Sequence, residues 1–243
     1  MRLRSIVLAG LMLGATLSVA QAADMRFRWV TYGSRAECGN TCPQVIEAQG
    51  TINRDTPAAF ADFIRRSGGV PGARRVVLIH SPGGVLRSGM ELGMMFRRLG
   101  IVVFVGRFAD LRTLVEAGAV EPAMAVRLAR SGRVGDRPVS GACVSACVYA
   151  FLGGTERIVP SSSRLGVHRP FRAPERADAG PALDPTALVP WDRGAIEDVQ
   201  RLYIATMGAD PALVQFERGT PSERIRFLSA QEMRRLRITT RAR

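Results

Sequence analysis

The spacing of apolar residues alternates between strand-like and helix-like stretches along the chain. Residues 25–29 alternate apolar and charged side chains, as a half-buried strand does. The continuous apolar runs at 75–79 and 101–105 are typical of strands covered on both faces, which occur in parallel sheets. Between these two runs, residues 86–99 are apolar apart from one charged stripe, which predicts a largely buried helix. The alternation therefore predicts an α/β fold with a mostly parallel sheet and flanking helices.

Boundary residues assign further elements. Thr56 and Pro57 form an N-cap and a first-turn proline, so we predict a helix there that closes at Gly68 and Gly69. Residues 44–52 are predicted to form a strand. Three further predicted helices cover 195–207, 211–217 and 230–236.

Three segments contain residue types that suit acyl-transfer chemistry. Ser145 lies in a run of small residues, 141–147, that leads into an apolar stretch, so we expect a turn that delivers the serine to the start of a buried helix. The turn Ser81-Pro82-Gly83-Gly84 follows an apolar strand, and glycine there lets backbone N–H groups approach a ligand closely. His168 follows the short predicted strand 165–167. A serine, a histidine and a glycine-rich donor turn are the components of an acyl-transfer site.

These segments resemble the proteolytic subunit of the Clp protease and, more broadly, the Clp/crotonase superfamily, here in an exported, periplasmic branch. The stretch Ser163-Arg164-Leu165-Gly166-Val167-His168-Arg169-Pro170 fits the family segment that contains the base, and 223–230 resembles the segment that contains the third triad member. The resemblance covers about residues 44–229. It implies a spiral of repeated ββα units with Ser145 as nucleophile, His168 as base and the amides of Gly84 and Ala146 as the oxyanion hole.

One departure from the family pattern affects the triad. The orienting aspartate falls at Ile225, which cannot accept a hydrogen bond from an imidazole. Loss of the correct orienting group costs on the order of 10⁴ in turnover in the triad template. Glu223 is the nearest substitute, because residues two apart share a side if the segment is extended; Glu217 and Asp210 are more distant candidates. The alternatives are a Ser-His dyad or a protein that has kept the fold and lost the activity.

The identity of the base follows from what the sequence lacks. There is no lysine, so all 34 basic residues are arginine, which cannot act as a base. A Ser-Lys dyad is thereby excluded. Of the two histidines, His80 precedes the glycine turn and fits a hydrogen-bonded core or rim residue, which leaves His168 as the predicted base.

The N-terminus has the pattern of a secretory signal peptide over residues 1–22. A charged start precedes a short apolar core, and Ala20-Gln21-Ala22 is a small-x-small cleavage site. Cleavage near Ala22 would leave residues 23–243 as a single domain in the periplasm or outside the cell. Because the periplasm lacks ATP, we expect no ATPase partner.

Composition narrows the classes of partner. The formal net charge is +13, but the arginines are scattered, and 3 tyrosines and 2 tryptophans offer little stacking surface. We therefore predict no nucleic-acid partner, and we expect no cofactor. The resemblance implies a peptide or protein substrate and a homo-oligomer.

The four cysteines of an exported chain favour disulfides. We favour the local pairs Cys38–Cys42 and Cys143–Cys147 over long-range pairing between the two segments. Four-residue spacing suits a regular helix poorly, so Cys143 should precede the first helical turn. Metal binding is disfavoured because neither pair has histidines nearby.

Two segments interrupt the predicted core. Residues 107–138 are predicted to be a helical insertion, either a lid over the site or a solvent-side decoration, with decoration the default. Residues 170–194 are rich in Pro, Ala and Asp, which predicts a mobile loop.

Three functions are consistent with these observations. The first is an exported serine hydrolase, a peptidase, that uses Ser145 and His168. The second is a non-catalytic Clp-like binding or assembly protein, which Ile225 favours. The third is a crotonase-like acyl-CoA enzyme, against which export argues, since acyl-CoA substrates are cytosolic.

Overall fold

A computed structural model describes residues 23–33, 38–68, 73–109, 121, 123–124, 137–171 and 192–240. The predicted signal peptide and residues 172–191 of the predicted loop lie outside the described residues, as does most of the 107–138 insertion. Those three predictions therefore stay predictions.

The described part of the chain forms ten strands and six longer helices. The strands are β1 (Arg26–Thr31), β2 (Gln44–Gln49), β3 (Ala73–His80), β4 (Val102–Val105), β5 (Arg107–Ala109), β6 (Arg137–Val139), β7 (Ala142–Val144), β8 (Glu156–Ile158), β9 (Arg164–Val167) and β10 (Arg226–Phe227). The helices are α1 (Thr56–Ser67), α2 (Leu86–Arg98), α3 (Ala146–Leu152), α4 (Arg193–Thr206), α5 (Leu213–Arg218) and α6 (Ala230–Arg235).

The main sheet has the strand order β1-β2-β3-β4-β8. Strand β1 is antiparallel to β2, and the other neighbours are parallel. Residues of both central strands are fully buried, including Val77, Ile79, Val103 and Val105. Burial on both faces explains why β3 and β4 are continuous apolar runs rather than alternating ones. The α/β class predicted from these runs is confirmed.

A second sheet has the order β10-β9-β7, with β9 parallel to β7 and antiparallel to β10. A separate pair, β5 and β6, lies at the two ends of the predicted insertion. The sequence predicts helices in this insertion, and neither strand was predicted. They are three residues long, so their apolar pattern is too short to recognise.

Helix α2 packs closely on α3, and glycine makes this approach possible. A Cβ on Gly89 would contact the main chain of Ala146, and one on Gly93 would contact the main chain of Tyr149. All seven residues of α3 are buried. The position of the α3 N-terminus is therefore fixed by the helix that follows β3.

Helix boundaries agree with the sequence prediction within a few residues, with one correction at α1. Helix α1 begins at Thr56, and Asp55 rather than Thr56 is the N-cap. The Thr56 hydroxyl instead donates to Asn53 Oδ1 at 2.9 Å, which closes the preceding turn. Helix α1 ends at Gly68, as predicted, and this glycine has a left-handed conformation. None of the helices in the described ranges has both the length and the apolar character needed to span a bilayer.

Candidate active site

The chain that leaves β3 runs alongside β7 and joins the two sheets. The Ser81 N–H donates to Ala142 O at 2.9 Å, and the Val144 N–H donates back to Ser81 O at 3.1 Å. This parallel pairing brings the Ser81-Pro82-Gly83-Gly84 turn beside Ser145.

Both glycines of this turn are required by their surroundings. Gly83 has a φ of 102°, and a Cβ there would lie 2.6 Å from Ser145 Cβ and from Val144 O. Gly84 has a φ of 139°, and a Cβ there would overlap Ile52 O. Only glycine combines these φ values with such close contacts.

The Gly84 amide is directed away from the neighbouring chain. The Ile52 N–H donates to Gly83 O and the Val85 N–H donates to Ile52 O, both at 2.8 Å. Successive amides of an extended segment point to opposite sides, so the Gly84 N–H faces away from Ile52. Within the described residues it has no hydrogen-bond acceptor, and neither has the Ala146 N–H at the start of α3.

Ser145 has an unusual backbone conformation, with φ at 57° and ψ at −126°. Arg237 is the only other non-glycine residue with positive φ in the described part of the chain. Such conformations cost about 1–3 kcal/mol for a residue with a side chain. The Ser145 N–H donates to Gly166 O at 2.9 Å, so the serine directly continues the pairing of β7 with β9.

His168 follows the end of β9, as Ser145 follows the end of β7. The two strands are parallel, with Val144 paired to Gly166, so Ser145 and His168 lie at the same edge of the sheet. The imidazole is half-buried and lies 6.0 Å from the Phe171 ring, centroid to centroid. Among the described residues, no hydrogen bond joins His168 to Ser145 Oγ in this conformation.

The tautomer of His168 follows from its one hydrogen bond. Nδ1 lies 2.9 Å from Arg169 O. A carbonyl oxygen can only accept, so Nδ1 carries the proton and donates it. In the neutral ring Nε2 is then the unprotonated nitrogen, which is the nitrogen a general base uses. The sequence analysis did not identify this backbone acceptor, because a main-chain carbonyl leaves no signal in residue types.

Ile225 directly precedes strand β10. The recorded pairs of β10 with β9 are Arg226–Val167 and Phe227–Gly166, and one further step in this antiparallel register would set Ile225 opposite His168. A Cβ on Gly166 would lie 2.6 Å from Ile225 Cγ2, so the Ile225 side chain covers the face of β9 that His168 also uses. An aspartate at position 225 would therefore face the histidine.

The extended geometry on which the Glu223 prediction depended is absent. The Arg224 N–H donates to Pro221 O at 3.1 Å, which closes a turn around Glu223. The Glu223 carboxylate is exposed and accepts a hydrogen bond from the Ser222 hydroxyl, which lowers its pKa. Within the described residues it makes no hydrogen bond to His168. Glu223 as the orienting residue stays a prediction.

The two more distant carboxylate candidates have other partners. Glu217 is buried and accepts hydrogen bonds from the Tyr149 hydroxyl at 2.7 Å and from Gln200 Nε2 at 2.7 Å. Burial raises the pKa of Glu217 to about 8. Asp210 Oδ1 accepts from the Ala212 N–H at 2.9 Å, ahead of α5. Neither is hydrogen-bonded to His168.

The second histidine is held by the main chain. His80 Nδ1 accepts a hydrogen bond from the Ala142 N–H at 2.9 Å. Burial, and next the charge of Arg107, lower the His80 pKa. Its ring lines a polar cavity of about 490 Å³ that Arg107 and Arg164 also line. His80 is thus a hydrogen-bonded rim residue, as the sequence analysis expected.

Two disulfides are present, and both are local. One joins Cys143 to Cys147 with the Cα atoms 5.2 Å apart, and the other joins Cys38 to Cys42 at 4.9 Å. Cys143 belongs to β7 and precedes α3, so the pairing and the non-helical start favoured from the sequence agree with the structure. In the described ranges, no group of three His, Cys, Asp or Glu side chains is placed to hold a metal ion.

Comparisons with known proteins add little to this geometry. No family model matches the chain. No curated protein matches it either. Among solved structures, the chain is similar to a mutant of the 1510-N membrane-bound stomatin-specific protease, with 13% sequence identity and a TM-score of 0.45 over 81% of this chain and 75% of that one. A likeness this distant supports no argument about function.

Proposed function

We propose that this protein is an exported serine hydrolase that acts on peptides or proteins, built on a Clp/crotonase-like spiral of ββα units. The observation that supports the proposal most strongly is the conformation of Ser145. A serine with a φ of 57° stands between a parallel strand and a buried helix, directly against Gly83. A sharp, strained strand-to-helix turn is the arrangement that exposes the Oγ of a nucleophilic serine.

In this proposal His168 is the general base. Its Nε2 takes the proton of Ser145 Oγ as Oγ attacks a substrate carbonyl, and the imidazolium then gives that proton to the leaving group. The same nitrogen activates water to hydrolyse the acyl-enzyme. The hydrogen bond from Nδ1 to Arg169 O supports this role because it selects the tautomer of the neutral ring in which Nε2 is the acceptor. The Ser145–His168 hydrogen bond would form when substrate binds, since both residues follow the same edge of the β7–β9 pair and catalytic hydrogen bonds are often absent in apo sites.

The proposed oxyanion hole consists of the Gly84 and Ala146 amides. Neither N–H group has an acceptor within the described residues. Ala146 follows Ser145 in the chain, and Gly84 follows Gly83, which packs against the Ser145 side chain. A pair of such donors directed at the developing negative charge stabilises the tetrahedral intermediate, and one donor is worth about 2.7–4 kcal/mol.

The orienting group is the least supported part of the site. Glu223 would serve only if the 221–224 turn opened. In the described conformation the Arg169 carbonyl takes its place, which corresponds to a Ser-His dyad. A carbonyl fixes the tautomer but brings no full negative charge to stabilise the imidazolium, so turnover should be slow.

The second candidate is a non-catalytic Clp-like binding or assembly protein. Two observations favour it: the sequence has Ile225 where the family pattern has the orienting aspartate, and no hydrogen bond joins Ser145 Oγ to the imidazole within the described residues. The strained Ser145 argues against it, because a serine without a task could be replaced by glycine at that φ.

The wider organisation proposed here follows the sequence. Residues 1–22 would be a signal peptide and 23–243 a single domain. The two disulfides are compatible with an oxidising compartment such as the periplasm. Assembly into a homo-oligomer is part of the same proposal.

A burst assay with a p-nitrophenyl ester tests the proposal. The oxidised wild-type protein should release about one equivalent of p-nitrophenol rapidly as the acyl-enzyme forms. Ser145→Ala should remove the burst, and His168→Ala should slow it by at least 100-fold. A folded wild-type protein without a burst, and without cleavage of an unfolded protein substrate, would favour the non-catalytic alternative.

A further inference from the structure

We propose that the Cys143–Cys147 disulfide holds Ser145 in its positive-φ conformation, so that the reactivity of the site depends on this bond. The part of the proposal that concerns reactivity rests on the proposed function. The part that concerns conformation does not.

The disulfide imposes a short distance across the segment that contains Ser145. It keeps the Cα atoms of Cys143 and Cys147 5.2 Å apart. Four residues span roughly 13 Å along a strand and roughly 6 Å along a helix. The segment starts in β7 and ends in α3, so it must reverse sharply between the cysteines. Ser145 is the middle residue and makes that reversal at a φ of 57°.

The hydrogen bonds around Ser145 do not require a positive φ. Its N–H donates to Gly166 O, which continues the β7–β9 pairing and suits an extended residue equally well. Its carbonyl accepts from the Val148 N–H at 2.9 Å, the i to i+3 bond that is common in the first turn of a helix. An N-cap residue normally has β-region dihedral angles. The covalent link is therefore the constraint that accounts for the unusual φ.

Burial of the cysteines limits how the constraint can be released. Both are 0% exposed, and α2 covers the start of α3 through Gly89. Reduction by a dithiol would break the S–S bond with two electrons and two protons and give two thiols, while the dithiol becomes a disulfide. A reductant can reach these sulfurs only after local opening. Once the bond is broken, Ser145 can relax to the negative φ of a normal N-cap, and its Oγ moves away from its position beside the proposed oxyanion hole.

The conformational part can be tested without any activity. We compare the thermal midpoints of Ser145→Gly and Ser145→Ala, which differ only in the Cβ. In the disulfide-containing protein, Gly should give the higher midpoint by several degrees, because glycine has no penalty at a φ of 57°. In a Cys143→Ala/Cys147→Ala background that advantage should vanish or reverse, because a relaxed residue 145 favours alanine.

The second disulfide of the chain provides the matched control. Cys38–Cys42 has the same sequence separation of 4 and is remote from the site. In a Cys38→Ala/Cys42→Ala background the advantage of Gly over Ala should equal that in the wild-type background. If the Cys143→Ala/Cys147→Ala protein does not fold, Cys143→Ala/Cys147→Val restores volume and serves in its place. An undiminished advantage of Gly without the 143–147 disulfide would overturn the proposal.

The reactivity part is measured with a fluorophosphonate probe. Cys143→Ala/Cys147→Ala should be labelled at least tenfold more slowly than the wild type, whereas Cys38→Ala/Cys42→Ala should be labelled within twofold of it. Equal labelling of the two double variants would overturn the link between disulfide and reactivity. Absence of labelling in the wild type would contradict the proposed function instead, and the glycine–alanine comparison would still decide the conformational part.

Discussion

Two disulfide loops of equal length occur in this chain, and their surroundings differ. Each joins cysteines separated by 4 in sequence, so the loop-closure model assigns both the same unfolded-state contribution, about 2 kcal/mol. The 38–42 loop is largely exposed, whereas Cys143 and Cys147 are fully buried. Any difference between the two in stability must therefore arise in the folded state.

Each loop also contains one residue with positive φ. In the 38–42 loop it is Gly39, at 59°, with nothing within 4 Å of a Cβ position. In the 143–147 loop it is Ser145, at 57°, where Gly83 packs against its side chain. The exposed 38–42 loop has glycine at its positive-φ position, and glycine suits that conformation. The buried 143–147 loop has serine there, which does not. Strain retained at the half-buried Ser145 is the observation from which a functional hypothesis can be drawn.

The largest expected effect compares Gly83, which packs against the 143–147 loop, with Gly39, which lies inside the 38–42 loop. Gly83→Ala should destabilise the fold by about 3 kcal/mol or more, because its Cβ would overlap Ser145 Cβ and Val144 O at an unfavourable φ. Gly39→Ala meets open space and should cost only the φ penalty, about 1 kcal/mol. Urea denaturation of both variants gives the two values. Equal losses would mean that the 81–84 turn is not packed against Ser145.

Removal of each disulfide is the next test. The Cys143→Ala/Cys147→Ala protein should lose about 2 kcal/mol more stability than Cys38→Ala/Cys42→Ala, because buried sulfur atoms leave cavities that exposed ones do not. Both are measured by urea denaturation of the oxidised proteins. If the two double variants were equally stable, burial of the 143–147 bond would contribute nothing to the fold.

The buried helix that follows Ser145 should make stability depend on pH. Tyr149 in α3 donates to Glu217, whose pKa is raised to about 8 by burial, against 4.5 for an ordinary glutamate. The folded state binds this proton more tightly than the unfolded state, so the stabilisation is complete below pH 4.5 and is lost as pH rises through 8.

The expected loss between pH 5 and pH 8.5 is at least about 1.4 kcal/mol, the equivalent of one pKa unit. Thermal midpoints across this range measure it. Glu217→Gln should remove the dependence, and Glu91→Gln, at an exposed site on α2, should keep it. A wild-type midpoint that does not change over this range would contradict the assignment.

The smallest expected effect concerns the missing carboxylate. Ile225→Asp should raise the rate of ester hydrolysis about fivefold, roughly 1 kcal/mol of transition-state stabilisation, because it places a negative charge opposite His168. Phe227→Asp is the matched control, since it lies one pair further along the same face and is similarly exposed. An equal response to both substitutions would indicate a general charge effect rather than an orienting one.

The elements and pairings predicted correctly are those that local sequence determines. The apolar runs of β3 and β4, the end of α1 at Gly68 and both local disulfides depend on neighbours within a few residues. The order of small residues around Ser145 likewise predicted a turn that leads into a buried helix, although it did not predict the preceding strand β7.

The features that were missed depend on contacts between distant parts of the chain. The Nδ1 acceptor of His168 is a main-chain carbonyl, and the Tyr149–Gln200–Glu217 cluster joins three helices. The extended geometry assumed around Glu223 is replaced by a turn that the Arg224 N–H and the Pro221 carbonyl close, while its role as the orienting residue stays a prediction. The positive φ of Ser145 is also invisible in the sequence, because serine rarely adopts it.

The central claim is that Ser145 is an activated nucleophile. The most direct measurement is intact-mass spectrometry of the oxidised protein after reaction with a fluorophosphonate, followed by peptide mapping of the adduct. The account predicts one adduct per chain, located on Ser145, and none in Ser145→Ala. A folded, disulfide-bonded protein that acquires no adduct, or acquires it on another residue, would contradict the account.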